Sequence, residues 1–134
     1  MGEIQFNYPA VFAAALVCFL IGGVWYSPFL FARTWMKEAG LDEARIRDGK
    51  LATVFGLALL CSLVIAFNLA AFIGPQHGPG FGAFAGLAAG LGWAAMSIGV
   101  IFLFERRSFR LWLIHAGYLV VSYTAMGALI GAWK

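Results

Sequence analysis

Residues 81–110 read FGAFAGLAAGLGWAAMSIGVIFLFERRSFR, and this stretch decides the fold. Its first 24 residues carry no charged side chain, and the next six carry three arginines. A bilayer core about 30 Å thick needs roughly 20 apolar residues in one helix, and basic residues stay on the cytoplasmic side. The stretch therefore predicts a membrane-spanning helix that ends in a cytoplasmic loop.

Three more apolar runs accompany this one, so the sequence predicts an all-α protein, a four-transmembrane-helix bundle. We expect a single integral membrane domain over residues 1–134, with spans at about 8–27, 51–73, 81–104 and 111–133. Charged residues make up only 11% of the chain, whereas soluble domains carry about 25%. Four spans and their connections use nearly the whole length, which leaves no room for a soluble catalytic domain.

The basic residues predict the orientation. Eight of the nine lie in two stretches between spans: Arg33, Lys37, Arg45, Arg47 and Lys50 in one, Arg106, Arg107 and Arg110 in the other. Because basic loops stay inside, we expect a multi-pass protein of the bacterial cytoplasmic (inner) membrane with both termini outside. The net charge of +3 then points to anionic lipid headgroups as partners, at Arg106, Arg107, Arg110, Arg33 and Lys37, and not to nucleic acid.

Ser27-Pro28 interrupts the first apolar run. Proline removes a backbone donor and crowds the preceding turn, while Ser27 is a suitable cap for a new helix. Residues 28–39 mix Phe and Trp with Lys and Arg, a pattern typical of helices that lie on a membrane surface. We therefore predict a short interfacial helix over about 28–39, ended by Gly40.

Small residues recur every four positions on each span, which allows helices in lipid to approach closely. The third span carries Gly82, Gly86, Gly90 and Ala94 as its helix-packing residues. Such a stripe serves either packing inside the bundle or contact with another protomer. Since the other spans also carry small stripes, we expect the stripe of the third span to make a homo-oligomer contact.

Few polar side chains lie inside or at the ends of the spans. Asn68 needs a hydrogen-bond partner in hydrocarbon, so we expect it to face protein, either in an interhelical hydrogen bond or as a substrate contact. His115 shares a helix face with Tyr118 and Ser122, and Glu105 lies at the end of the third span where it can pair with His115. The candidate intramembrane polar positions are Asn68, Ser97, His115, Tyr118, Ser122, Tyr123 and Glu105.

The sequence carries no catalytic constellation: no paired carboxylates within a span, no Ser/His/Asp set and no phosphate-binding loop. Cys18 and Cys61 each lie inside an apolar run, where cysteine acts as a small packing residue. His77 stands alone in an uncharged turn. We therefore expect no catalytic residues, no metal site and no cofactor, and predict that the protein is not an enzyme.

Residues 23–31, GVWYSPFLF, followed by Trp35 and Gly40, resemble the first-helix signature of the family named domain of unknown function 1761. The last span adds to the likeness through His115, Gly117, Tyr118, Gly127 and Trp133. The resemblance covers essentially the whole chain and implies a small bacterial integral membrane protein. It implies no activity, because the family has none established.

Three functions stay open at this point. The first is a non-enzymatic membrane protein that forms homo-oligomers or joins a larger membrane complex. The second is a small transporter or channel for a neutral or small substrate, formed by a homo-oligomer and lined by the polar positions of the spans. The third is a lipid-modifying protein at the inner interface. A continuous polar cavity favours transport, and an exposed aromatic or small-residue face favours assembly.

Overall fold

The computed structural model describes residues 6–42, 44, 51–74 and 78–133, and the regular structure in these ranges is helical. Five helices follow one another: α1 Tyr8–Trp25, α2 Ala32–Ala39, α3 Leu51–Ile73, α4 Pro79–Glu105 and α5 Phe109–Ala132. Four of them, all except α2, are long and apolar enough to cross a membrane. The predicted all-α fold with four spans is confirmed over the described ranges.

Local sequence explains most helix ends. Asn7 caps α1, because its side-chain oxygen accepts a hydrogen bond from the backbone N–H of Ala10 (3.3 Å). Ser108 caps α5 in the same way through the N–H of Leu111 (3.0 Å). The span α3 matches its predicted bounds, whereas α4 and α5 each begin two residues earlier than expected.

The chain breaks between α1 and α2, as the Ser27-Pro28 pair predicts, but the second helix starts four residues later than expected. Ser27 does not cap a helix that begins at Pro28. Its hydroxyl donates to the carbonyl of Val24, three residues earlier (2.6 Å), and accepts from the N–H of Phe29 (3.3 Å). The helix α2 ends at Gly40, whose φ of 72° is the left-handed conformation that glycine adopts without strain.

The helices are arranged around α5, which contacts every other helix. At one end of the bundle, the Asn7 amide donates to the carbonyl of Trp133 (3.1 Å). At the other end, the indole N–H of Trp25 donates to the carbonyl of Ile114 (2.8 Å). These two bonds make α1 and α5 antiparallel and bring the two ends of the described chain to the same end of the bundle.

The contact between α4 and α5 depends on glycine. A Cβ atom at Gly82 would overlap the carbonyl of Gly127, and one at Gly86 would overlap the carbonyl of Tyr123. Gly90 also faces Tyr123 at close range. Backbones approach this closely only where side chains are absent. The expectation that this stripe contacts another protomer is therefore wrong for Gly82, Gly86 and Gly90, because α5 of the same chain already covers them.

The other small stripes are also used inside the bundle. Ala14 and Cys18 of α1 pack with Ala66 and Ala70 of α3 in the buried core. Much of the small-residue surface that the sequence offered for partners is thus used inside the bundle. Several predictions lie outside the described residues: those on Arg45, Arg47 and Lys50, the turn with His77, and Lys134.

Candidate functional site

A groove of about 410 Å³ opens sideways between α3 and α4. These two helices make only limited contact with each other, while both contact α5. The groove is lined by side chains of α3, α4 and α5, namely Val64, Ile65, Asn68, Leu69, Phe72, Ala89, Trp93, Ala94, Ser97 and Tyr123. It therefore brings together three of the predicted polar positions, Asn68, Ser97 and Tyr123, and adds Ala94 of the small stripe.

Asn68 does not face the interior of the protein as the sequence suggested. Its side chain is exposed, and its amide nitrogen donates to the carbonyl of Val64, one turn earlier in the same helix (2.8 Å). The expected interhelical hydrogen bond is therefore wrong for a single protomer. The intrahelical bond satisfies part of the amide, but the side chain still lies on the open side of a membrane-spanning helix.

Trp93 forms the α4 wall of this groove and is 67% exposed. Its ring meets the edge of Phe72 from α3, with centroids 6.1 Å apart and planes at 84°. Trp93 lies in a π-helical segment, Gly90–Ala95, within α4. Such segments insert one extra residue into a turn and often occur at functional sites. The sequence gives one signal for this position. Trp93 lies near the middle of the predicted third span, whereas tryptophan is usually enriched at membrane interfaces.

A second cluster lies at the end of the bundle where α1 stops. The hydroxyl of Tyr26 and Nδ1 of His115 are 2.6 Å apart. Burial raises the pKa of the Tyr26 hydroxyl well above its ordinary value, so the hydroxyl stays protonated and can donate a hydrogen bond to Nδ1 when that nitrogen carries no proton. The Tyr26 ring also packs against Trp35 of α2 (4.9 Å) and Tyr118 of α5 (5.7 Å).

Glycines make room for the aromatic rings of this cluster. A Cβ atom on Gly117 would lie 2.8 Å from the indole of Trp25. A Cβ atom on Gly22 would lie 3.2 Å from the ring of Tyr118, whose hydroxyl donates to the carbonyl of Cys18 (3.3 Å). Trp25 and Tyr26 tie the end of α1 to α5 through hydrogen bonds.

The expected pair between Glu105 and His115 is wrong. Glu105 accepts from Nε of Arg107 (2.7 Å), two residues along the chain, and both side chains are about half exposed. His115 has Tyr26 as its hydrogen-bond partner and the ring of Phe102 beside it (5.7 Å). The carboxylate and the imidazole therefore belong to different local clusters.

The candidate polar positions do not line one path through the protomer. Asn68, Ser97 and Tyr123 share the α3–α4 groove, whereas His115 belongs to the cluster at the end of α1. Ser122 is fully buried, and its hydroxyl donates to the carbonyl of Leu119 (3.4 Å). Within the described residues, no three His, Cys, Asp or Glu side chains approach as metal ligands do, and Cys18 and Cys61 are both free.

The sequence matches the family described as Protein of unknown function (DUF1761) over residues 9–131, which is nearly the whole chain. The chain belongs to the DUF1761 family. No curated protein and no solved structure matches it significantly. The family description carries no activity, so the geometry of the chain itself has to supply any functional argument.

Five of the residues that carry the likeness to this family meet in space, although they lie about 90 positions apart in the sequence. Trp25 and Tyr26 come from the first signature, and His115, Gly117 and Tyr118 come from the last span. Hydrogen bonds and ring contacts join the two groups. These five residues thus form one packed junction between α1 and α5.

Proposed function

We propose that this DUF1761 protein is a non-enzymatic integral membrane protein that associates with a second copy of itself through the α3–α4 groove. The exposed amide of Asn68 in a membrane-spanning helix supports this proposal most strongly. An amide that faces hydrocarbon without full hydrogen bonding is costly. Interhelical hydrogen bonds from Asn side chains are among the forces that hold helices together in lipid.

The symmetry of a dimer suits this groove. In a two-fold dimer the same surface patch meets its own copy, so Asn68 of one protomer can face Asn68 of the other. Each amide has both donor and acceptor atoms and can pair with its copy. The exposed ring of Trp93 then adds apolar contact area beside the polar pair. No cofactor or catalytic group takes part in this function.

The test is the subunit number of the full-length protein in mild detergent or in nanodiscs. Asn68→Leu is expected to shift the protein from dimer to monomer by weakening association about tenfold, while each span stays inserted. Ser62→Ala is the matched control, since it removes a polar group from the same helix at a buried position, where the hydroxyl donates to the carbonyl of Ala58 (2.9 Å). A wild-type protein that is monomeric in both media contradicts the proposal.

A small transporter formed by the same dimer is the second candidate. The observation that favours it is the common position of Asn68, Ser97 and Tyr123 in one groove, because two facing grooves would enclose a polar space between protomers. Proteoliposomes measure the flux of a small neutral solute. Flux that falls with Ser97→Ala while the dimer persists supports transport, and absence of flux leaves assembly as the function.

We further propose that the protein lies in the bacterial inner membrane with both termini outside and contacts anionic headgroups. Support comes from α2, which bears Arg33 and Lys37 and packs at the end of the bundle where α5 begins. Arg106, Arg107 and Arg110 precede and begin α5 at that same end. Reporter fusions at Lys134 and near Arg107 test the orientation, and cytoplasmic activity of the Lys134 fusion contradicts it.

A further inference from the structure

A second groove, of about 430 Å³, runs between the end of α4 and the start of α5. Its walls are apolar side chains, including Met96, Val100, Leu103, Phe109 and Trp112, and Arg107 and Ser108 lie at its mouth. We propose that this groove binds one anionic phospholipid, with an acyl chain along α4 and the phosphate at Arg107. The proposal rests on the contact with anionic headgroups proposed above and does not depend on self-association through the α3–α4 groove.

The floor of this lipid groove is held in place by Trp112. Its indole N–H donates to the carbonyl of Ala95, the last residue of the π-helical segment (3.0 Å). A Cβ atom on Gly99 would lie 3.2 Å from the indole nitrogen, so glycine lets the ring lie close against α4. Phe109 stacks on Trp112 with centroids 5.6 Å apart and planes at 23°. These contacts give a flat, apolar surface that suits an acyl chain.

The mouth of the groove carries the charge that an anionic headgroup needs. The guanidinium of Arg107 lies 5.6 Å from the centre of the Phe102 ring, and its Nε donates to Glu105. The bond from Nε to Glu105 does not use the two terminal nitrogens of the guanidinium, which can bind a phosphate by paired hydrogen bonds. Arg106 and Arg110 lie within four residues of Arg107, so residues 105–110 hold three arginines and one glutamate.

The same charges argue against a second copy of this chain as the occupant. A two-fold contact places identical patches against each other. Such a contact at this groove would bring the Arg107 side chains of both copies together, and like charges at an interface oppose association. A phospholipid has the complementary pattern instead, because its anionic phosphate is joined to an apolar chain. We therefore commit to an anionic phospholipid.

The test compares lipid retention by the full-length protein, released from nanodiscs and weighed by native mass spectrometry. The probes are phosphatidylglycerol and phosphatidylcholine with identical acyl chains. We expect preferential retention of phosphatidylglycerol, and Arg107→Gln should lower that preference about five-fold, which corresponds to the loss of one basic residue near a lipid headgroup. Equal retention of the two lipids by the wild-type protein overturns the proposal.

Arg33→Gln is the matched control for charge: Arg33 is exposed on α2, where we propose contact with bilayer headgroups, but it does not line the groove whose lipid stays bound after release. It should change the preference less than two-fold. Equal losses for Arg107→Gln and Arg33→Gln mean that total surface charge attracts the lipid, and they overturn the proposed site. Inorganic phosphate at millimolar concentration should leave retention unchanged, and displacement of the lipid by phosphate would contradict the role of the acyl chain.

A second variant tests the apolar part of the groove. Val100→Trp fills the groove from α4 and should lower retention of both lipids at least five-fold without changing the headgroup preference of what remains. Leu57→Trp is the matched control, since Leu57 is similarly exposed on α3 but lines neither groove. Unchanged retention in a folded Val100→Trp protein, or an equal loss in Leu57→Trp, overturns the proposal.

Discussion

The two sides of α4 differ in how closely they pack against neighbouring helices. One side lies against α5 through Gly82 and Gly86, where no side chain separates the backbones. The other side carries Trp93 and Ser97 and opens toward α3 across a groove. In the apolar 18-residue stretch of each helix, only 11% of the residues of α4 are buried, against 33% of those of α5. The helix α4 therefore contacts the rest of the bundle along a narrow strip. Close packing inside this bundle uses small residues, and the large and polar side chains of α4 remain available on its outer side.

The largest effect is expected on the closed side. Gly86→Leu should lower the free energy of unfolding by at least about 3 kcal/mol, because the added side chain would collide with the backbone at Tyr123. Gly92→Leu is the matched control, since an added Cβ there meets no atom within 4 Å. Melting in detergent measures the difference. Equal melting of the two variants would mean that the α4–α5 contact does not hold the bundle together.

A medium effect is expected at the junction of α1 and α5. Tyr26→Phe should lower the free energy of unfolding by about 1 kcal/mol, the usual contribution of one hydrogen bond, because the bond to His115 is lost. Tyr8→Phe is the control at the opposite end of α1, where Tyr8 is exposed. In a His115→Phe background, Tyr26→Phe should have little effect. A loss that persists in this background contradicts the proposed bond.

The smallest effect is expected on the open side. Trp93→Ala should lower the free energy of unfolding by less than about 1 kcal/mol, because the exposed ring makes one edge contact with Phe72. Trp112→Ala is the contrasting variant and should cost about 3 kcal/mol, since this indole is hydrogen-bonded and packed between α4 and α5. If Trp93→Ala lowered the free energy of unfolding more than Trp112→Ala does, the open side of α4 would contribute more to stability than the contact with α5, contrary to our expectation.

Several features of the fold followed from the sequence because their causes are local. Apolar length determined the four spans, and Gly40 was expected to end the short helix and does. The two-residue error at the start of α5 was avoidable, because Ser108 directly precedes the apolar run and serine is a preferred cap. The predicted start of the short helix at Pro28 was harder to correct from sequence. A serine at position 27 can cap the helix that follows or bond to the helix that precedes it, as Ser27 does with Val24.

The candidate sites were less predictable. Asn68, Ser97 and Tyr123 were identified as polar residues in apolar spans, but their common groove depends on how far α3 diverges from α4. The π-helical segment around Trp93 has no clear pattern in the sequence. The hydrogen bond between Tyr26 and His115 was not predicted, because the two residues lie on different parts of the chain, 89 positions apart. Each of these features depends on contacts between helices that are distant in the sequence.

The sequence by itself determined that this is a four-span helical protein of the DUF1761 family with a break after the first span. Those properties depend on the transfer of each segment into lipid and on residues within one turn. Only the tertiary structure decided which small stripe is covered, which partner His115 has and which side of α3 exposes Asn68. All four spans carry similar small stripes, so only the packed arrangement distinguishes the helix faces that meet from those that stay open.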